Sequence, residues 1–130
     1  MATVNQIVSA FLKSDSDMAS AFNGVFYLIN DNEVKASYAT YYMIDDPQDK
    51  TLLCPTNQGQ ARFACDVFAE IYDDGVDKRQ IYMDVMKKLE ATTTSGLNIW
   101  SVENINVSDR STRVNGLFMF SFESILKWEN

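Results

Sequence analysis

Apolar residues recur along this chain with two alternating periods, and those periods predict its elements. Val4, Ile7, Val8, Phe11 and Leu12 keep the spacing that stacks side chains on one face of a helix. Thr3 and Gln6 stand where a capping box satisfies two free backbone N–H groups. The polar run 13–17 ends or bends this helix, and a second turn through 18–22 follows. Asn23-Gly24 marks a break. Residues 25–29 and 36–44, rich in β-branched and aromatic side chains, predict two strands. The polar turn at 30–33 predicts that they pair as an antiparallel hairpin. Tyr41 and Tyr42 are adjacent on the second strand, so one of them points away from the main core.

Residues 45–59 form the longest stretch without a period and hold both prolines, which predicts a functional or mobile loop. From 60 to 72 the alternation is strict. Ala61, Phe63, Cys65, Val67 and Ala69 point one way, while Gln60, Arg62, Ala64, Asp66 and Glu70, with Phe68 among them, point the other. A turn at Asp73-Asp74-Gly75 precedes a helix carrying Ile81, Tyr82, Val85, Met86 and Leu89. Asp77 and Gln80 offer it a capping box, Lys87 and Lys88 suit its C-terminal dipole, and residues 92–96 end it. A strand at 97–107, a polar turn at 108–112 and a long strand at 113–128 complete the chain. That last strand is apolar on both faces, which places it in the middle of a sheet.

The expected fold is α+β: a mainly antiparallel sheet of about five strands with two helices packed on it, in the order α-β-β-β-α-β-β. One domain spans residues 1–130. Hydrophobic residues make up 46% of the chain, enough for a core without metals or disulfides. The N-terminal residues show neither a basic segment nor a long apolar run. The expectation is a protein without a signal peptide, in a reducing cytoplasm with Cys54 and Cys65 free.

Charge narrows the function classes. The net charge is −7 with scattered Lys and Arg, which disfavours tight binding of duplex nucleic acid or an anionic membrane. With no histidine, the common general base and the Ser-His-Asp and Cys-His arrangements are missing. Carboxylates gather at Asp45, Asp46 and Asp49 and again at Asp66, Glu70, Asp73 and Asp74. Either set offers oxygen ligands to a divalent cation, but solvated loop charge and the helix dipole account for them more simply. Cys65 is expected as a small core residue. Trp100 and the phenylalanines of the last strand are expected in the core. Trp128, beside the C-terminus, is the candidate exposed anchor, docked within the chain or on a neighbour.

The whole pattern resembles the tail terminator, or tail completion, proteins of tailed bacteriophages. The carrying segments are the opening helix from Val4 to Leu12, the aromatic hairpin, the strand from Ala61 to Ala69 leading into a helix that ends at Leu89, and the closing Phe118-Met119-Phe120-Ser121-Phe122. The resemblance implies a virion protein assembled in the host cytoplasm, with no catalysis and no cofactor. It implies a ring, hexameric in this family, that ends the tail tube and joins it to the head connector while DNA passes non-specifically through. Its partners would be copies of itself, the tail tube protein and the connector. The candidate contact residues are Asp45, Asp46, Asp49, Lys50, Leu52, Leu53, Arg110, Arg113 and Trp128. Three other readings stay open: another neck or tube protein, a metal-dependent enzyme built on the second carboxylate set, and a small adaptor.

Overall fold

A computed structural model describes residues 3–28, 35–44, 58–94, 96–114 and 116–129. Helix α1 spans Val4–Ser14, and its capping box forms as the sequence predicts. Thr3 Oγ1 accepts from the Gln6 backbone N–H at 3.2 Å, and Gln6 Oε1 accepts from the Thr3 N–H at 2.9 Å. Asp15 ends α1 and starts α2, Ser16–Ala21, by accepting the N–H groups of Asp17 and Met18 at 2.9 and 3.1 Å. The strands are β1 Val25–Tyr27, β2 Tyr38–Met43 and β3 Gln58–Ala69. Helix α3, Tyr72–Lys87, follows. Strands β4 Thr92–Thr94, β5 Leu97–Val114 and β6 Leu117–Glu129 close the chain.

The class is α+β, but the sheet has six strands and is mixed, in the order β1-β2-β3-β6-β5-β4. The expected hairpin between the first two strands is corrected: β1 runs parallel to β2, with Val25 opposite Ala39 and Tyr27 opposite Tyr41. Periodicity sets which side chains are buried but carries no information on strand direction. The polar turn at 30–33 lies outside the described residues.

Further boundaries move for identifiable reasons. Strand β3 ends at Ala69, and the helix begins at Tyr72, not at Asp77. Asp77 therefore lies inside α3 and the Asp77–Gln80 box does not form; the Gln80 amide donates to Asp84 at 2.9 Å instead. Asp73, Asp74 and Gly75 are helical, not a turn, and the two aspartates sit in the first turn, where the helix dipole favours anions. Residues 92–94, expected only to end the helix, form β4 opposite Leu97–Ile99. The last hairpin turns at Gly116, whose φ of +80° suits a residue without Cβ. The predicted turn at 108–112 is strand instead. Three register shifts in β5 take up the extra residues.

β6 lies between β3 and β5, the central position its two-sided apolar pattern predicts. Strand alternation puts Ala61, Phe63, Cys65, Val67 and Ala69 beside Phe120, Phe122 and Leu126 on one face, all buried. The helices cover that face. Tyr82 of α3 is fully buried with its ring edge-on to Phe22 and Phe122. Its hydroxyl donates to the Thr40 carbonyl at 3.1 Å, so the burial leaves no orphaned polar group. Cys65 sits in this core as expected, and burial pushes its thiol well up, away from nucleophilic chemistry. The pair Tyr41 and Tyr42 divides as predicted. Tyr41 is buried with its hydroxyl donating to Ser9, while Tyr42 is exposed.

Both tryptophans differ from expectation. Trp128 is only 4% exposed, because it stands opposite Gly59 in the β3–β6 register and its ring lies in the space a side chain at 59 would need. The anchor docks within its own chain. Trp100 is 48% exposed, because the shift between Ile99 and Ser101 takes it out of the inward row.

Two predictions follow from this packing. Alanine in place of an exposed helical glycine usually stabilises by about 1 kcal/mol. At Gly75 the new Cβ would lie 2.0 Å from the buried Phe120 ring. Gly75→Ala should therefore destabilise by about 1–3 kcal/mol, and a raised urea midpoint would refute this account. Asp15 supplies the second. Burial pushes its carboxyl up, but the N–H groups of Met18 and Asp17 and the Lys88 ammonium at 3.2 Å outweigh that and hold it below its ordinary value of 3.8. A depressed carboxyl adds stability above its unfolded value, and that stability is lost as pH falls through the folded one. Between about pH 5 and pH 2 the wild type should lose more stability than Asp15→Asn; equal slopes in urea unfolding would contradict this.

Candidate assembly surface

The alternation that fills the core also decides what the opposite face of the sheet displays. Tyr38 of β2, Phe68 of β3 and Met119 of β6 fall in one row across the strands, and Phe26 of β1, opposite Thr40 in the neighbouring row, reaches diagonally to Tyr38. Phe26 meets Tyr38 edge-on at 6.1 Å, and Tyr38 stacks on Phe68 at 4.9 Å between ring centroids. Aromatic contacts of this geometry add about 0.5–1.5 kcal/mol each beyond their buried area. Burial raises the Tyr38 hydroxyl pKa above its ordinary value, which keeps the ring neutral.

Apart from Phe26, the next row is polar. Thr40, Asp66 and Ser121 lie side by side, and Ser121 Oγ donates to Asp66 Oδ1 at 2.6 Å. Beyond it come Tyr42, Ala64 and Glu123, with Arg62 Nε 3.1 Å from Glu123 Oε1. At the far end Lys127 Nζ stands 5.7 Å over the exposed Trp100 ring. Antiparallel sheets with one open face usually alternate apolar inside and polar outside. This sheet departs from that rule at Phe26, Tyr38, Phe68 and Met119. Among the described residues no helix covers this face.

A second surface is the free edge of β5. Strand β4 pairs only with Leu97–Ile99, so beyond Ile99 no described strand lies on the edge of β5 that faces away from β6. An uncovered edge invites pairing with another chain, and charged side chains and bulges blunt it. Lys87 Nζ donates to the Val102 carbonyl at 2.6 Å, Arg79 Nη1 to that of Ser108 at 2.7 Å, and the register shifts bend the strand. The edge is therefore partly closed from within.

Helices α2 and α3 border a cleft of about 540 Å³ that Asp17, Ala21, Asp74, Asp77, Ile81 and Asp84 help to line. Its acids are largely engaged already. Lys78 pairs with Asp74 at 3.2 Å, Lys88 with Asp17 at 2.5 Å, and Gln80 donates to Asp84. The carboxylate set expected at Asp66, Glu70, Asp73 and Asp74 does not converge: Asp66 lies on the open face of the sheet, and Asp73 and Asp74 lie in the first turn of α3. Among the described residues, no three acids, cysteines or histidines are placed to hold a metal ion.

The predicted contact residues divide in the same way. Asp45, Asp46, Asp49, Lys50, Leu52 and Leu53 lie outside the described residues, as does Cys54. Arg110 and Arg113 belong to β5, opposite Met119 and Phe118, not to a turn or a strand start. Trp128 is buried. Sequence reasoning missed the aromatic row. The signal was Phe68, an aromatic residue among the outward polar positions of its strand. Also unforeseen is an apolar spot where β3 meets α3, with Ile71 66% exposed and Tyr72 edge-on to Phe118 and Phe120. Tyr72 is held there by its hydroxyl, which donates to Asp109. Among the described residues no helix is long and apolar enough to cross a membrane.

No family model matches this chain, and no curated protein matches it. Its fold is found among solved structures. A chain from the virion of a native gene transfer agent particle superposes with a TM-score of 0.69 and 11% identity, over 95% of this chain and 92% of that one. A second solved chain aligns over 99% of this chain and 96% of its own length with 16% identity, but its TM-score of 0.48 supports no argument. At 11% identity the first likeness is one of fold.

The two tryptophans give a direct test of these surfaces. Trp128→Ala should cost about 3–5 kcal/mol, whereas Trp100→Ala should stay within about 1 kcal/mol. Iodide should quench the emission of Trp100, measured in Trp128→Phe, far more than that of Trp128, measured in Trp100→Phe. The reverse order would contradict the assigned register.

Proposed function

We propose that this chain is a structural protein of a phage-like virion, a tail terminator whose copies close into a ring, six in number, at the head end of the tail. The observation that carries the proposal is the fold shared over nearly the whole length with a chain of a gene transfer agent virion. Three physical features support it. The open sheet face places aromatic side chains where a neighbouring subunit would bury them. A ring needs one surface to meet a different one, and this subunit presents several unlike apolar surfaces: the contacting rings of Phe26, Tyr38 and Phe68, the spot at Ile71 and Tyr72, and Trp100. A net charge of −7 would let DNA pass along a lumen without adhering to it.

In this reading the protein acts by assembly, without catalysis or a cofactor. It works in the virion with the tail tube protein and the head connector as partners, and DNA passes through without sequence recognition. The separated carboxylates favour it over the metal-dependent enzyme. A tube or neck protein on the same fold is the second reading. The same fold likeness to a virion chain supports it.

Native mass and negative-stain images of the purified protein, alone and with tail tubes, test the proposal. A closed ring of six, formed alone or on the end of a tube, is the expected result. Stacked tubes would assign it to the tube, and a monomer that ignores tubes would refute both readings. Tyr38→Glu with Phe68→Glu should abolish assembly while leaving the far-UV circular dichroism of the subunit unchanged. Undiminished assembly would remove the open face from the interface.

A further inference from the structure

We draw no further inference here: the strongest candidate, the open sheet face bearing the Phe26–Tyr38–Phe68 aromatic cluster, is already part of the proposed assembly surface, and nothing in the structure shows what covers it.

Discussion

The antiparallel seam between β3 and β6 is the constraint on which the rest of the structure depends. Its register runs unbroken from Gln58 opposite Glu129 to Ala69 opposite Phe118. Because side chains alternate strictly along both strands, fixing one pair fixes both faces. On one face Phe63, Cys65 and Val67 join Phe120 and Phe122 as the floor on which α3 lies. The same register puts Trp128 over Gly59 and leaves Phe68 beside Met119 on the opposite face. A slip of β3 by one residue would turn its core residues outward and carry Arg62 and Asp66 into the helix layer. Burying those charges would be far more costly than any loop adjustment.

Helix placement follows from that floor. Gly75 lets α3 approach Phe120 so closely that no larger residue fits without displacement, and Tyr82 reaches through the core to the Thr40 carbonyl. Helices α1 and α2 are tied to α3 by a small electrostatic knot. Asp15 closes one helix, caps the next and receives Lys88 from the far end of α3, while Lys88 also takes Asp17. Exposed ion pairs contribute little. The side chain of Asp15, only 9% exposed and bonded to two backbone N–H groups, belongs to a different class.

The three helices among the described residues gather on one side of the sheet. A mixed sheet covered on a single face must either present a polar outer face or bury that face against something else. Here the outer face is divided: a charged half with Arg62, Glu123 and Lys127, and an aromatic half with Phe26, Tyr38 and Phe68. Interfaces between proteins are built from this mixture of aromatic centre and polar rim. The β5 edge is treated differently, because Lys87 and Arg79 turn their donors onto its carbonyls. Among the described residues the subunit thus leaves a face without a helix while partly closing an edge, which limits uncontrolled strand addition.

The sequence alone determined the local features. The capping box at Thr3, the buried row from Ala61 to Ala69, the central position of β6 and the core setting of Cys65 all follow from spacing and residue chemistry, which act over a few residues. The opposite roles of Tyr41 and Tyr42 follow from the pleat of a strand. Tertiary structure decided what depends on distant partners. The parallel direction of β1, the early start of α3 and the formation of β4 are set by which neighbour is present to receive each segment. So is the exchange of the two tryptophans. Nothing near Trp128 in sequence announces Gly59, and nothing near Trp100 announces a register shift against β6. The candidate surface shows the same division. Phe26, Tyr38, Phe68 and Met119 are isolated outward residues in the sequence, and they become neighbours only because four strands align: Tyr38, Phe68 and Met119 in one row, with Phe26 diagonal to Tyr38.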